Sequence, residues 1–87
     1  MQKSDRQTIL AVAQKYEMKH LYLFGSAAHG ASSYNDIDLG VIGLAPQDYF
    51  KFYGELMTSL SHSVDLVDLT KQNRFNTLVT TDGELLI

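Results

Sequence analysis

The stretch LYLFGSAAHGASSYNDIDLGV, residues 21–41, decides the fold of this chain. Its apolar run from Leu21 to Phe24 stops at Gly25, as a short buried strand does. The small, polar segment that follows reads as a loop with room for a short helical turn. Asp36 to Ile42 then alternates and is rich in branched residues, so it reads as a second strand that ends near Gly43. Residues two apart on a strand share a face. Asp36 and Asp38 therefore project together, while Ile37 and Leu39 pack on the other side. Two neighbouring carboxylates repel, and desolvation aggravates the conflict. A divalent cation removes it, and Mg²⁺ characteristically takes one or two carboxylates, several waters and phosphate oxygens. No Lys or Arg occurs between Lys19 and Lys51. An anion bound by this segment must be held by backbone N–H groups or by metal.

Working outward, the residues before and after this pair supply what such a site needs. Gly25 permits a tight turn and close approach of a ligand to the backbone. Successive N–H groups in such a turn form an anion cradle, and Ser26 adds a hydroxyl. Val64 to Leu69, VDLVDL, reads as a third strand, and an Asp inside an apolar strand is rare without a partner. Asp65 and Asp68 lie three apart and face opposite sides, so only one can join Asp36 and Asp38; parity alone leaves the choice open. An anion cradle beside metal-binding carboxylates is equipment for phosphoryl or nucleotidyl transfer. The metal neutralises a triphosphate, and one carboxylate helps deprotonate an attacking hydroxyl.

The rest of the chain frames these strands. Ser4 with Gln7 reads as a capping box for a helix over 5–18. Pro46 suits the first position of a helix over 46–60, with Phe50, Tyr53, Leu56, Met57 and Leu60 as its core face. Phe52 lies off that face, either exposed, against a partner, or part of a wider core stripe. Thr70 or Asn73 caps a last helix carrying Phe75, Leu78 and Val79. Asp82-Gly83 is a turn, and Glu84 to Ile87 forms either a short edge strand or part of an association surface. Helices alternating with strands specify an α/β (α+β) layered structure around one sheet.

A length of 87 residues supports one domain, spanning 1–87. Cysteine is absent, which excludes disulfides, thiolate zinc sites and a Cys nucleophile. The N-terminal MQKSDRQTIL has no leader pattern and no run is apolar enough to span a membrane, so a cytoplasmic location is the expectation. A net charge of −3 argues against direct binding of nucleic-acid backbone. His20 and His62 read as structural or exposed. Tyr34, close to the Asp pair, is either a loop aromatic or a stacking partner for a base.

The 21–41 stretch resembles the signature of the minimal nucleotidyltransferases of the DNA polymerase beta superfamily: an apolar strand, Gly-Ser, a short spacer, then Asp-hydrophobic-Asp-hydrophobic. SVDLVDL (63–69) is similar to that family's third acidic strand, in which the first Asp is the functional one. FNTLVTTDGELLI (75–87) is similar to its closing helix and strand. The resemblance implies the nucleotidyltransferase fold, a small mixed sheet backed by helices, with two Mg²⁺ ions and a nucleoside triphosphate, usually ATP. It implies that Asp36, Asp38 and Asp65 ligate metal, with Asp65 activating the acceptor hydroxyl. It also implies that Gly25, Ser26 and, further along the loop, His29 and Gly30 meet the nucleotide. Many small members are antitoxins paired with a HEPN-domain toxin, and those with an assigned activity transfer AMP to a tyrosine of that toxin. The sequence departs from the pattern at His29, where an Arg commonly precedes the second Gly. His29 is mostly neutral near pH 7, so a fixed phosphate-facing cation is missing there. Besides the enzyme, two other functions fit this resemblance: an antitoxin that neutralises by contact alone, and an aminoglycoside-type small-molecule transferase, for which the chain has no evident acceptor-holding structure. Homo- or hetero-oligomers are compatible with all three.

Overall fold

In the computed structural model, which describes residues 1–28 and 36–87, helices and strands alternate in the anticipated order. They are α1 (Lys3–Ala13), β1 (His20–Phe24), β2 (Asp36–Ile42), α2 (Pro46–Ser59), β3 (Ser63–Asp68), α3 (Arg74–Asp82) and β4 (Glu84–Leu85). The expectations for His29, Gly30 and Tyr34 lie outside the described residues.

The four strands form one mixed sheet in the order β3-β2-β1-β4. β1 runs antiparallel to both β2 and β4, whereas β2 and β3 are parallel and joined through α2. One face of the sheet is apolar at its centre. Leu21, Leu23, Ile37, Leu39, Val41, Val64 and Leu66 pack there against Ile9, Val12 and Ala13 of α1 and Phe52 and Leu56 of α2. The alternate residues, including Tyr22, Phe24, Asp36 and Asp38, turn to the second face, and α3 lies on that side, with Phe75 edge-on to Phe24 at 5.9 Å between ring centres. α3 covers β1 and leaves the acidic ends of β2 and β3 open. Among the described residues no helix is long and apolar enough to cross a membrane.

Several local expectations need correction. α1 begins at Lys3 with Gln2 at its cap and no side-chain capping bond; Ser4 is inside the helix, where its carbonyl accepts from Thr8. The helix also ends at Ala13 rather than 18. Lys15 N–H and Tyr16 N–H bond three residues back, tightening the last turn, and Tyr16 leaves the helical path to pack on Phe52. On α2 the core face is rotated from the expected one. Phe52 and Leu56 are fully buried and Tyr49 and Tyr53 half-buried, whereas Phe50 is 77% and Met57 63% exposed. Tyr53 and Leu56 belong to both faces, and residues 49, 52, 53 and 56 fit helical spacing as well as 50, 53, 56, 57 and 60 do. The Tyr49 hydroxyl favours the observed set by donating to the carbonyl of Leu66 on β3, beside the bond from Tyr53, common to both sets, to the carbonyl of Val64. On α3 the Asn73 cap is present, accepting from Asn76 N–H at 2.8 Å, but Phe75 and Leu78 are more than half exposed and the buried pair is Asn76 and Val79. The chain's last residues take the edge-strand option: β4 pairs with Tyr22 and Leu23, and Leu86 N–H donates to Leu21 O at 2.7 Å.

Candidate active site

β2 and β3 run parallel with Asp38 directly opposite Asp65, and Phe24 of β1 stands opposite Asp38 from the other side. Paired residues on adjacent strands point to the same face of a sheet. Phe24, Asp38 and Asp65 therefore form a row across three strands, with Asp36 one pleat away at the start of β2. Asp68 has the opposite parity to Asp65. Its carboxylate accepts from Thr70 N–H at 2.9 Å and Thr70 Oγ1 at 2.6 Å, so it closes the turn that ends β3 and belongs to no acidic group.

Asp38 is the central member. Its carboxyl is held above the ordinary carboxylate range, first by burial and then by the charges of Asp65 and Asp36. None of the described ion pairs places a Lys or Arg on these three residues. The repulsion expected from the sequence is thus present in the fold.

Gly25 sits directly against this group. It has φ +74, and a Cβ built on it would stand 2.3 Å from Asp38 Oδ2. Any side chain at position 25 would be strained and would displace the carboxylate. The turn that follows is closed by Ala28 N–H donating to Gly25 O at 3.1 Å, with Ala27 buried beneath it and Ser26 exposed. The expected short turn after Gly-Ser is therefore present as far as residue 28.

The donors gathered here are all oxygen, which suits a hard divalent cation. Among the described residues no three acidic or imidazole side chains converge on one point as a closed metal cage. An open, substrate-completed Mg²⁺ site does not need one, since phosphate oxygens and waters supply the remaining ligands. Bare backbone at Gly25 lets the Asp38 carboxylate lie directly against the turn.

The comparisons agree with this geometry. Residues 7–87 match the family described as Polymerase beta, Nucleotidyltransferase. The chain belongs to that family. No curated protein sequence matches it. Among solved structures, a toxin-antitoxin crystal structure with AMP-PNP is similar at 27% identity and TM-score 0.76, covering 94% of this chain and 72% of that one. A rebuilt structure of a tri-AMPylated Shewanella oneidensis HEPN toxin in complex with MNT antitoxin is similar at 27% identity and TM-score 0.73, covering 100% and 72%. A toxin-antitoxin mutant complex carrying Y104A is similar at 26% identity and TM-score 0.74, covering 93% and 70%.

Within this polymerase beta nucleotidyltransferase fold, two features escape a reading of the sequence. Phe24 shares the face of Asp38, a placement that strand parity relative to buried Leu21 and Leu23 would have shown. Asp5, only 4% exposed, accepts from Ser61 N–H and Ser61 Oγ at 3.2 and 2.5 Å, and His62 Nδ1 lies 3.7 Å from it. That clamp joins α1 to the residues just before β3, at the same end of the sheet as the acidic group. A lone Asp in a first helical turn gives no sign of so distant a partner.

Proposed function

We propose that this chain transfers AMP from ATP to a hydroxyl of a HEPN-domain toxin and so acts as the antitoxin of a toxin-antitoxin pair in the cytoplasm. The observation that carries the proposal is the pairing of Asp38 with Asp65 on parallel strands, with the bare backbone of Gly25 against Asp38. Similarity to the tri-AMPylated HEPN toxin complex with its MNT antitoxin supports the choice of AMP and of acceptor.

In this reading Gly25 and Ser26 hold the triphosphate through backbone N–H groups and the Ser26 hydroxyl, with His29 and Gly30 following in the same loop sequence. Asp36, Asp38 and Asp65 are the residues that would hold two Mg²⁺ ions, which when bound would supply charge neutralisation of the triphosphate and a more acidic acceptor hydroxyl. Asp65 takes the acceptor proton. The acceptor oxygen bonds to the α-phosphorus as the bond from that phosphorus to the bridging oxygen breaks, and pyrophosphate leaves. The row Asp65, Asp38, Gly25 supports this reading, with the proposed proton acceptor and the proposed phosphate turn flanking the central carboxylate.

The test uses labelled ATP, Mg²⁺ and the HEPN protein encoded beside this chain. Label on the toxin, lost with Asp36→Asn or Asp38→Asn, is the expected result. A tight complex without label, formed equally by wild type and both variants, would instead establish neutralisation by contact alone.

A further inference from the structure

Val64-Asp65-Leu66-Val67-Asp68-Leu69 repeats its apolar and acidic pattern after three residues. In the observed register Ile37, Asp38 and Leu39 of β2 stand opposite Val64, Asp65 and Leu66 of β3. A slip of three would put Val67, Asp68 and Leu69 in those places, with two apolar residues still facing the core and an Asp still opposite Asp38. An odd slip turns every side chain to the other face and is normally opposed by burial. Here the flipped set is equally apolar, so the pattern of the strand maps onto itself. Among the described residues β3 is also an edge strand, hydrogen-bonded to β2 alone. The bonds from α2 do not discriminate, since Tyr49 and Tyr53 donate to backbone carbonyls, which every residue offers. The bonds between Asp68 and Thr70 lie within one turn and would move with it.

Among the described residues, two contacts outside the strand do depend on its register. At the exit Leu69 lies over the bare backbone of Gly40, where a Cβ would stand 2.3 Å from Leu69 Cδ1. At the entry Asp5 of α1, 4% exposed, accepts from Ser61 N–H at 3.2 Å and from Ser61 Oγ at 2.5 Å. Ser61 comes just before Ser63, which pairs with Asp36, and the acidic group lies at this entry end of β3. A slip of three moves the strand by about 10 Å, which takes Ser61 out of reach of Asp5. The buried carboxylate would then lose both donors, the costly case for a polar group shut off from water. We infer that Asp5 is a positioning residue: by holding Ser61 it fixes the register of β3 and so sets Asp65, not Asp68, beside Asp38. The consequence for transfer rests on the nucleotidyl-transfer reading, whereas the register is a property of the fold alone.

Two measurements on the whole chain test this: cross-strand nuclear Overhauser contacts of residue 38, and calorimetric titration with Mn²⁺ standing in for Mg²⁺. In wild type residue 38 should contact residue 65. Asp5→Ala should weaken that contact, bring in one to residue 68, and lower Mn²⁺ affinity by roughly tenfold, the lower end of what loss of a supporting partner costs a metal site. Asp5→Asn should restore both readouts, because its amide oxygen still accepts from Ser61 N–H and its amino group can donate to the Ser61 hydroxyl. Val12→Ala, a core truncation on the same helix, should lower stability and leave both readouts as in wild type. Ser61→Ala, which keeps the N–H bond, should shift them in the direction of Asp5→Ala but less, and serves where Asp5→Ala does not fold. An intact contact between residues 38 and 65 in Asp5→Ala, or in Ser61→Ala where that variant stands in for it, overturns the inference. So does equal loss in Val12→Ala, which would make the effect one of general stability, or equal loss in Asp5→Asn, which would make it one of charge. Failure of wild type to bind Mn²⁺ while residue 38 still contacts residue 65 overturns the metal-site reading instead, and the contacts alone then decide the register.

Discussion

Asp38 concentrates the conflict between folding and function. Burial, then Asp65, then Asp36 push its carboxyl up from 3.8, the ordinary value. A carboxyl raised in the folded state binds more protons there than in the unfolded chain between the two pKa values. Stability therefore falls as pH rises through that window. Without metal, Asp38→Asn should raise the melting temperature at pH 7 by roughly 2–4 °C, which is about 0.5 kcal/mol for a domain of this size once solvent screening is allowed for. The gain should vanish below the unfolded pKa, and thermal melts at pH 3 and pH 7 compare the two. The same substitution should reduce transfer by more than the roughly 100-fold that loss of an outer-shell metal partner costs. A variant that melts lower than wild type at pH 7 would show that the carboxylate is not repelled. Asp65 and Asp68 separate by role. Asp65→Asn should abolish labelling of the toxin, whereas Asp68→Ala should keep it and cost about 1 kcal/mol through loss of the Thr70 bonds.

At the scale of elements, α2 shows what a sequence leaves undetermined. Its existence, its Pro46 start and its length follow from periodicity and turn chemistry, but its rotation does not. Two aromatic-rich stripes overlap on it, sharing Tyr53 and Leu56, and counting apolar residues favours Phe50 and Met57 over Tyr49. The true stripe uses Tyr49 and Tyr53, amphipathic residues whose rings bury while their hydroxyls satisfy β3 carbonyls. Phe52→Ala should then cost about 3–5 kcal/mol, the usual range for a buried Phe, while Phe50→Ala should change stability by less than about 0.5 kcal/mol. Urea denaturation of both variants decides between the two rotations. β2 was legible for the opposite reason. Its alternation of Asp with Ile and Leu admits one face assignment, and Gly25-Ser26 marks where β1 must end. The choice of Asp65 over Asp68 comes from the family resemblance; that Asp65 stands opposite Asp38 depends on the register between β2 and β3, a non-local fact that parity within one strand does not contain.

For the whole molecule, the question is what holds three helices to so small a sheet, since a domain of this length keeps only about 60% of its unfolded surface buried. Among the described residues, two polar ties of α1 span long sequence separations. Arg6 grips Glu84 with two bonds of 2.6 and 2.9 Å, drawing Glu84 below its ordinary range and fastening α1 to the edge strand β4. Both side chains of this pair are about two-fifths exposed, 36% and 42%. Water and salt compete there, which limits such a pair to about 1 kcal/mol or less. The Asp5 clamp is the reverse case: its carboxylate is buried and both of its bonds go to Ser61, one of them to the backbone. Removing a buried acceptor leaves its donors unsatisfied at about 1–3 kcal/mol, a large share of a total stability that is typically about 5–15 kcal/mol. Asp5→Ala should accordingly destabilise the protein more than Glu84→Gln does, and the gap should widen in 1 M salt, where only the exposed pair is screened to a Debye length of about 3 Å. Chemical denaturation of both variants at low and high salt measures this. Equal losses would mean that the Arg6 fork fixes α1 as firmly as the Asp5 clamp does.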